Sequence, residues 1–346
     1  MEYRVLGTTG VRVSALCLGT MMFGEVGNRD RAEGVRVIRA AIDAGVNFVD
    51  TADVYSKGES EEIVGEALKG RRDDVVLATK VHGPMGEGQN DRGNSRLWIA
   101  REVENSLRRL GTDHIDLYQI HRPDPATKLD ETISALTDLV RQGKIRYFGS
   151  STFPAWEIVE AQCTSERRGF ERFVCEQPPY SILARGIEAD VLPVCRRHGI
   201  GVIVWSPLAG GWLSGKYRRG VEPDPQSRAV RSRERGPGIA ARFDLSREGN
   251  QRKLDVVEGL EKVASQAGVS LTHMAIAFTL SHPAVTSAII GPRTPAHLDD
   301  LLAGADVRLD TDALEAIDEL VPPGTVVEDA DRGWENPWLE ASARRR

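Results

Sequence analysis

Four residues of this chain, Asp50, Tyr55, Lys80 and His121, have types and placing that could do chemistry together. Asp50, Lys80 and His121 each end an apolar, β-branched run ("NFVD", "VVLATK", "IDLYQIH"), and Tyr55 follows Asp50 in "DTADVY". A free phenol, with a pKa of about 10, is a poor proton shuttle at neutral pH. A neighbouring ammonium stabilises phenolate and lowers that value. A carboxylate paired to the lysine keeps the ammonium charged where an unpaired charge would be costly. An imidazole can hydrogen-bond a carbonyl, orienting it or relaying the proton. The set suits proton delivery to a carbonyl oxygen as hydride arrives at carbon. Each residue also has an ordinary reading: a turn cap, a rim lysine, a packed tyrosine, a satisfied histidine. All four ordinary readings would have to hold at once.

The elements that must position these residues alternate. Strand-like runs fall near 15–18, 46–49, 75–79, 115–120, 145–149, 173–176, 201–205 and 287–290, with amphipathic segments between them. In "TKLDETISALTDLVRQG", Leu129, Ile133, Leu136 and Val140 keep helical spacing, with Thr127 and Asp130 as a capping box and Gly143 as the stop. "GESEEIVGEALKG" behaves alike, with Ser60 as N-cap and Ile63, Val64, Ala67 and Leu68 on one face. Strand–helix alternation implies a parallel sheet, and eight units favour a closed (β/α)₈ TIM barrel of the α/β class over an open sheet. The C-terminal strand ends form the active face of such a barrel. Here they carry Asp50, Lys80, His121, Ser150-Ser151-Thr152, Gln177, Trp205-Ser206 and Gly291. Residues 3–13 read as a β-hairpin around Thr9-Gly10 that closes the opposite end.

We read residues 1–346 as a single domain with an extended, flexible loop at 216–250 between strands seven and eight and a Pro-rich tail at 322–346. From Lys216 to Arg235 the loop carries seven basic and three acidic residues. It is either a mobile solvated loop or a flap whose arginines approach a phosphorylated ligand. The tail holds Trp334 and Trp338 and either brushes the barrel mouth or is only partly ordered.

Composition bounds the partners. With 40% hydrophobic and 28% charged residues and a net charge of −6, the chain is expected to be a soluble globular protein without a nucleic-acid partner. No apolar stretch approaches the roughly 18 residues of a membrane span. The N-terminus lacks a signal-peptide pattern, and Cys17, Cys163, Cys175 and Cys195 are scattered, so a cytoplasmic location is expected. The histidines show no paired metal-ligand spacing, so no metal is expected. "GGWLSGKY" falls one residue short of a P-loop and has Tyr217 where a hydroxyl for Mg²⁺ is required. Arg344-Arg345-Arg346 reads as a solvated end.

The strings "LCLGTMMFG", "NFVDTADVYSKGESEEIVGEAL", "VVLATKVHGP", "HIDLYQIHRPDP", "GKIRYFGSSTF", "EQPPYSIL", "VIVWSPLAGGWLSGKY" and "AIIGPRTPAHLDDLL" resemble the aldo-keto reductases over about residues 3–320. Within that family the chain is most similar to the longer bacterial members related to aryl-alcohol dehydrogenases and potassium-channel β subunits. The resemblance implies a (β/α)₈ barrel that binds NADPH/NADP⁺ across its C-terminal face and reduces a small-molecule carbonyl. Tyr55 would be the acid in reduction, Lys80 would ease its ionisation, Asp50 would pair with Lys80, and His121 would orient the carbonyl. Ser151, Thr152 and Gln177 would contact the carboxamide, and Trp205 would stack on the nicotinamide. Gly19, Thr20 and Met21 would border the same end of the cofactor, and Gly291 would also contact the cofactor. Ser206, Pro207, Leu208, Gly210, Gly211 and Lys216 would border the pyrophosphate.

Thr294 as N-cap, Pro295 at the first helical position and Arg293 beside them make an anion site that favours the 2′-phosphate of NADP. His297 adjoins it. Thr152, His297 and Leu301 depart from the asparagine, glutamine and asparagine that relatives often carry. Two other classes compete. A cofactor-binding regulatory subunit like the channel β subunits would keep the same four residues, whereas a two-carboxylate hydrolase finds no second acid at these strand ends. The tail and the long loop would shape the pocket for aryl aldehydes, sugar aldehydes or keto-sugars.

Overall fold

Short runs of Val, Ile, Leu and Phe, buried on both faces, make the strands of a parallel barrel. The computed structural model describes residues 1–225, 227–232, 236–334, 336–339 and 341–344. Arg345 and Arg346, Arg233 and Arg235 of the basic loop, and the side chain of Trp338 lie outside the described residues. An antiparallel hairpin, β1 (Tyr3–Val5) and β2 (Arg12–Ser14), comes first. Eight parallel strands follow: β3 (Leu16–Gly19), β4 (Phe48–Asp50), β5 (Val76–Val81), β6 (Ile115–Ile120), β7 (Ile145–Ser150), β8 (Cys175–Glu176), β9 (Gly201–Val204) and β10 (Ser287–Ile290). They close in chain order, β10 pairing back onto β3.

Helices α1 (Arg31–Asp43), α2 (Glu59–Ala67), α3 (Arg96–Leu110), α4 (Leu129–Arg141), α5 (Ala155–Arg168) and α6 (Val191–His198) each follow one strand, from β3 to β8. After β9 come two short helices, α7 (Arg228–Arg231) and α8 (Pro237–Ala241), and then α9 (Glu248–Gln266) and α10 (Leu271–Ser281). The segment 216–250 thus contains α7, α8 and the start of α9. Helices α11 (Pro295–Ala303) and α12 (Thr311–Leu320) close the ring. No single helix among the described residues is long and apolar enough to cross a membrane.

Alternation along the strands divides the core in two. Outward residues pack under the helices, while Cys17, Phe48, Ala78, Leu117, Cys175 and Ile203 point inward. Leu6 and Val13 of the hairpin join that inner cluster and plug the N-terminal end, as the sequence predicts.

Several boundaries differ from expectation. Strand β8 is only two residues long. Lys128, not Thr127, caps α4, because the Thr127 hydroxyl donates to Asp124 at 2.7 Å. Gly58, with a φ of 96°, precedes α2 in place of Ser60. Ser60 lies inside the helix and donates to the Thr20 carbonyl oxygen at 2.9 Å. The expected face of α2, Ile63, Val64, Ala67 and Leu68, is buried.

Beyond α12 the chain returns across the barrel mouth. Val327 donates its N–H to the Leu183 carbonyl, and Asp331 is buried between Arg242 Nε at 2.7 Å and Lys253 Nζ at 2.5 Å. One carboxylate therefore joins the tail to α9 and to the segment between α8 and α9. Asp331→Asn, which strands two buried cations, is expected to lower stability by about 3–5 kcal/mol in urea denaturation. A loss below about 1 kcal/mol would show that the tail is held by other contacts.

Candidate active site

The polar layer sits directly above the apolar floor of the barrel. Two residues up each strand from Phe48, Ala78, Leu117 and Cys175 stand Asp50, Lys80, Gln119 and Gln177, so the same alternation turns them inward. Lys80 and Asp50 are buried and paired, Nζ to Oδ2 at 2.6 Å. Gln119 and Gln177 donate their side-chain amides to Asp50 Oδ1 at 3.1 and 2.8 Å. Lys80 Nζ also donates to the Thr51 carbonyl at 2.8 Å and to Tyr55 Oη at 3.3 Å. Burial disfavours the ammonium, but Asp50 and the Tyr55 oxygen outweigh it and raise the Lys80 pKa above that of a free lysine.

Tyr55 reaches this layer because the loop after β4 is tied back onto β5. Thr51 N donates to the Ala78 carbonyl and Asp53 N to the Lys80 carbonyl. The turn after Tyr55 is strained: Ser56 and Lys57 have φ of 48° and 54°. Ser56 offsets this by donating to the Phe23 carbonyl at 3.1 Å and accepting from Val26 N at 3.2 Å. The other positive-φ non-glycine residues among those described are Thr152, Ser206 and Ala209, all just past strand ends. Strain collected on one rim marks a site held in shape by its surroundings.

His121 packs edge-on against Tyr55, with ring centroids 5.8 Å apart. Burial, with Arg122, Lys80 and His82 around it, pushes its pKa well below that of a free histidine. The ring is therefore a neutral hydrogen-bond partner. His82 is also pushed down, chiefly by burial, and bonds to Asn94 at 2.9 Å. Two guanidiniums lie near the Trp205 ring, Arg122 at 5.9 Å and Arg242 at 5.5 Å from its centroid.

A cavity of about 1470 Å³ opens at this end of the barrel. Of the predicted residues, Gly19, Met21, Asp50, Tyr55, His121, Ser151, Gln177 and Trp205 line its inner part. Ser206, Pro207, Leu208, Gly210, Gly211, Lys216, Gly291, Arg293 and His297 continue the wall outward. Lys80, Thr20, Thr152 and Thr294 stand behind it. Lys80 is fully covered, and Thr20 spends its hydroxyl on the Asp50 carbonyl and Ser60. Thr294 caps α11 by accepting from His297 N at 3.3 Å, as predicted. Thr152 has a φ of 60°, a conformation that suits asparagine better than a β-branched residue.

The outer end of the cavity is crowded with cations. Burial and Arg293 push the Lys216 pKa down, and burial, Arg293 and Lys216 push down that of His297. Arg228 and Arg231 of the long loop also line the wall, and Trp334 does so from the tail. Sequence reasoning missed Gln119, His82, Arg122 and Arg242. The first two were detectable: Leu117-Gln119-His121 and Ala78-Lys80-His82 continue the inward period of two. Arg122 adjoins His121 in sequence. Arg242 carried no local signal, because its place depends on Asp331 far along the chain.

A family model described as "Aldo/keto reductase family" matches residues 15–322. An "Uncharacterized oxidoreductase YrpG" of Bacillus subtilis (strain 168) is 41% identical over 336 residues, covering 94% of this chain and 97% of that protein. A "Probable voltage-gated potassium channel subunit beta" of Arabidopsis thaliana is 36% identical over 312 residues, covering 89% and 92%. A "Versiconal hemiacetal acetate reductase" of Aspergillus parasiticus is 34% identical over 352 residues, covering 94% and 98%.

A neutral His121 has a direct spectroscopic consequence. A free imidazole protonates as pH falls through about 6.5, whereas this one, depressed by burial and three basic neighbours, stays neutral below that point. Its ring resonances in NMR are expected to hold neutral-imidazole positions down to pH 5.5. A titration centred near 6.5 would show that the pocket does not suppress its charge.

Proposed function

The chain belongs to the aldo/keto reductase family, and from that premise we propose that it reduces an aldehyde or ketone to the alcohol with NADPH, as an NADP-dependent oxidoreductase. The observation that carries this reading is the Lys80 ammonium, held between the Asp50 carboxylate and the Tyr55 hydroxyl at the edge of the cavity.

The residues present fit the cofactor. The cavity exceeds the roughly 300–1,000 Å³ of a single small-molecule site and has room for a dinucleotide and a substrate. Arg231 Nη1 at the basic end is buried without a hydrogen-bond partner. Gly210 and Gly211, both at positive φ, let backbone approach closely there. Trp205 would offer its face to the nicotinamide, with Ser151 and Gln177 at the carboxamide. Lys216, Arg293 and the N-terminus of α11 would hold the phosphates. When bound, NADPH supplies the hydride.

The protein's own residues do the rest. Tyr55 Oη gives its proton to the carbonyl oxygen, and the adjacent ammonium stabilises the negative charge that builds on the phenol oxygen. Asp50 keeps that ammonium charged and fixed. His121, neutral, donates a hydrogen bond that orients the carbonyl.

Relatives named as channel β subunits favour a second reading, in which the same pocket senses the cofactor and signals through a partner. Turnover of 4-nitrobenzaldehyde supports the enzyme. Tight NADPH binding without oxidation across a broad carbonyl panel supports the sensor.

Tyr55→Phe removes the proton donor alone, so reduction is expected to fall by about 10²–10⁴-fold, with the NADPH Kd changed less than about threefold. Unchanged turnover would overturn the role of Tyr55. Arg293→Ala is expected to raise the NADPH Kd by about tenfold or more and the NADH Kd by less than about twofold. Equal losses in fluorescence titrations would place the 2′-phosphate elsewhere.

A further inference from the structure

Arg122 differs from the other cations around the reacting end of the cavity. Lys80 is paired with Asp50, and Arg242 shares Asp331 with Lys253. Arg122 Nη1 donates to the His121 carbonyl at 2.5 Å and to Ser151 Oγ at 3.3 Å, both uncharged. Among the described residues no carboxylate lies within ion-pairing distance of it, and its Nε and Nη2 have no hydrogen-bond partner. Glu176, the carboxylate that favours its charge after the Tyr55 oxygen, is occupied elsewhere: it accepts from Ser150 Oγ and Phe153 N. Burial lowers the Arg122 pKa from that of a free guanidinium, so the uncompensated charge is costly where it stands. A guanidinium with one edge anchored and the other open to a cavity is shaped to take a carboxylate through two parallel hydrogen bonds.

We propose that Arg122 is the counter-ion for a carboxylate on the substrate, so that this site favours carbonyl compounds that also carry a carboxylate. This rests on the carbonyl-reductase reading above. A single guanidinium beside Tyr55 and His121, with no carboxylate in ion-pairing distance among the described residues, matches the one negative charge of a carboxylate. The cations at the outer end of the cavity, Lys216, Arg231 and Arg293, are left to the cofactor phosphates. Arg122 acts at the opposite end, next to the residue that orients the carbonyl.

The test uses the ortho-, meta- and para-formylbenzoates, each paired with its neutral methyl ester. With NADPH, the wild-type protein is expected to reduce at least one acid about tenfold or more faster than its ester, by kcat/KM. In Arg122→Met that ratio is expected to fall to about one, and Arg122→Lys, which keeps the charge, to retain part of it. Isothermal titration of the same pairs into the protein without reduced cofactor reads binding alone. There the favoured acid is expected to bind about tenfold more tightly than its ester, a preference lost in Arg122→Met. Esters reduced with no acid favoured in either experiment would overturn the carboxylate site and leave the reductase reading intact. Arg122-dependent binding of the acid without turnover of any compound would do the reverse. Should Arg122→Met fail to fold, the wild-type acid-to-ester ratio still decides.

Discussion

The buried Asp50–Lys80 pair is the constraint on which the rest of this barrel depends. Neither charge could stand alone in the interior, and even a paired charge needs its remaining hydrogen-bonding capacity filled. Here it is filled completely. The three protons of Lys80 go to Asp50, the Thr51 carbonyl and Tyr55, and the second oxygen of Asp50 takes Gln119 and Gln177. Five elements, β4, β5, β6, the end of β8 and the loop after β4, are thereby fixed to one another through polar groups. An ammonium with no donor to spare cannot drift, and the phenol oxygen it touches is held in place.

That network needs a dry floor beneath it and a strained rim above. The floor is the ring of inward apolar residues, closed by Leu6 and Val13 of the hairpin. The rim is where the backbone leaves ordinary conformations, at Ser56, Lys57, Thr152, Ser206 and Ala209. Strain of this kind persists only where surrounding contacts over-determine the chain. Ser56 shows how: its hydroxyl joins the turn after Tyr55 to the loop after β3, at Phe23 and Val26.

The strand ends were legible in the sequence because a β-strand exposes its logic at a period of two. Asp50, Lys80, His121, Gln177 and Trp205 could be placed from apolar runs alone, since burial of each run fixes where its last residue points. Local capping was less legible. Thr127 and Ser60 have the right types for N-caps, but each hydroxyl is drawn to a partner that sequence spacing does not reveal, Asp124 for one and the Thr20 carbonyl for the other. Arg242 was illegible for a deeper reason. Its position is set by Asp331, eighty-nine residues away in sequence and adjacent only after the barrel has closed.

The return of the tail also governs the seat of the aromatic ring. Gly333 lies against Trp205 so closely that a Cβ there would stand 2.5 Å from the indole, and its φ of 81° is one that side chains resist. Behind the ring, Asp331 anchors Arg242, whose guanidinium rests 5.5 Å from the indole centroid. Arg122, held by the His121 carbonyl and Ser151, also lies near the ring, 5.9 Å from its centroid. Trp205 is thus positioned by β9, by the strand that carries His121, and by a segment more than a hundred residues further along. The Asp50–Lys80–Tyr55 layer belongs to the barrel alone, but the seat of Trp205 is shared with the tail. Changes in the tail can therefore shift Trp205 without disturbing the contacts among Asp50, Lys80 and Tyr55.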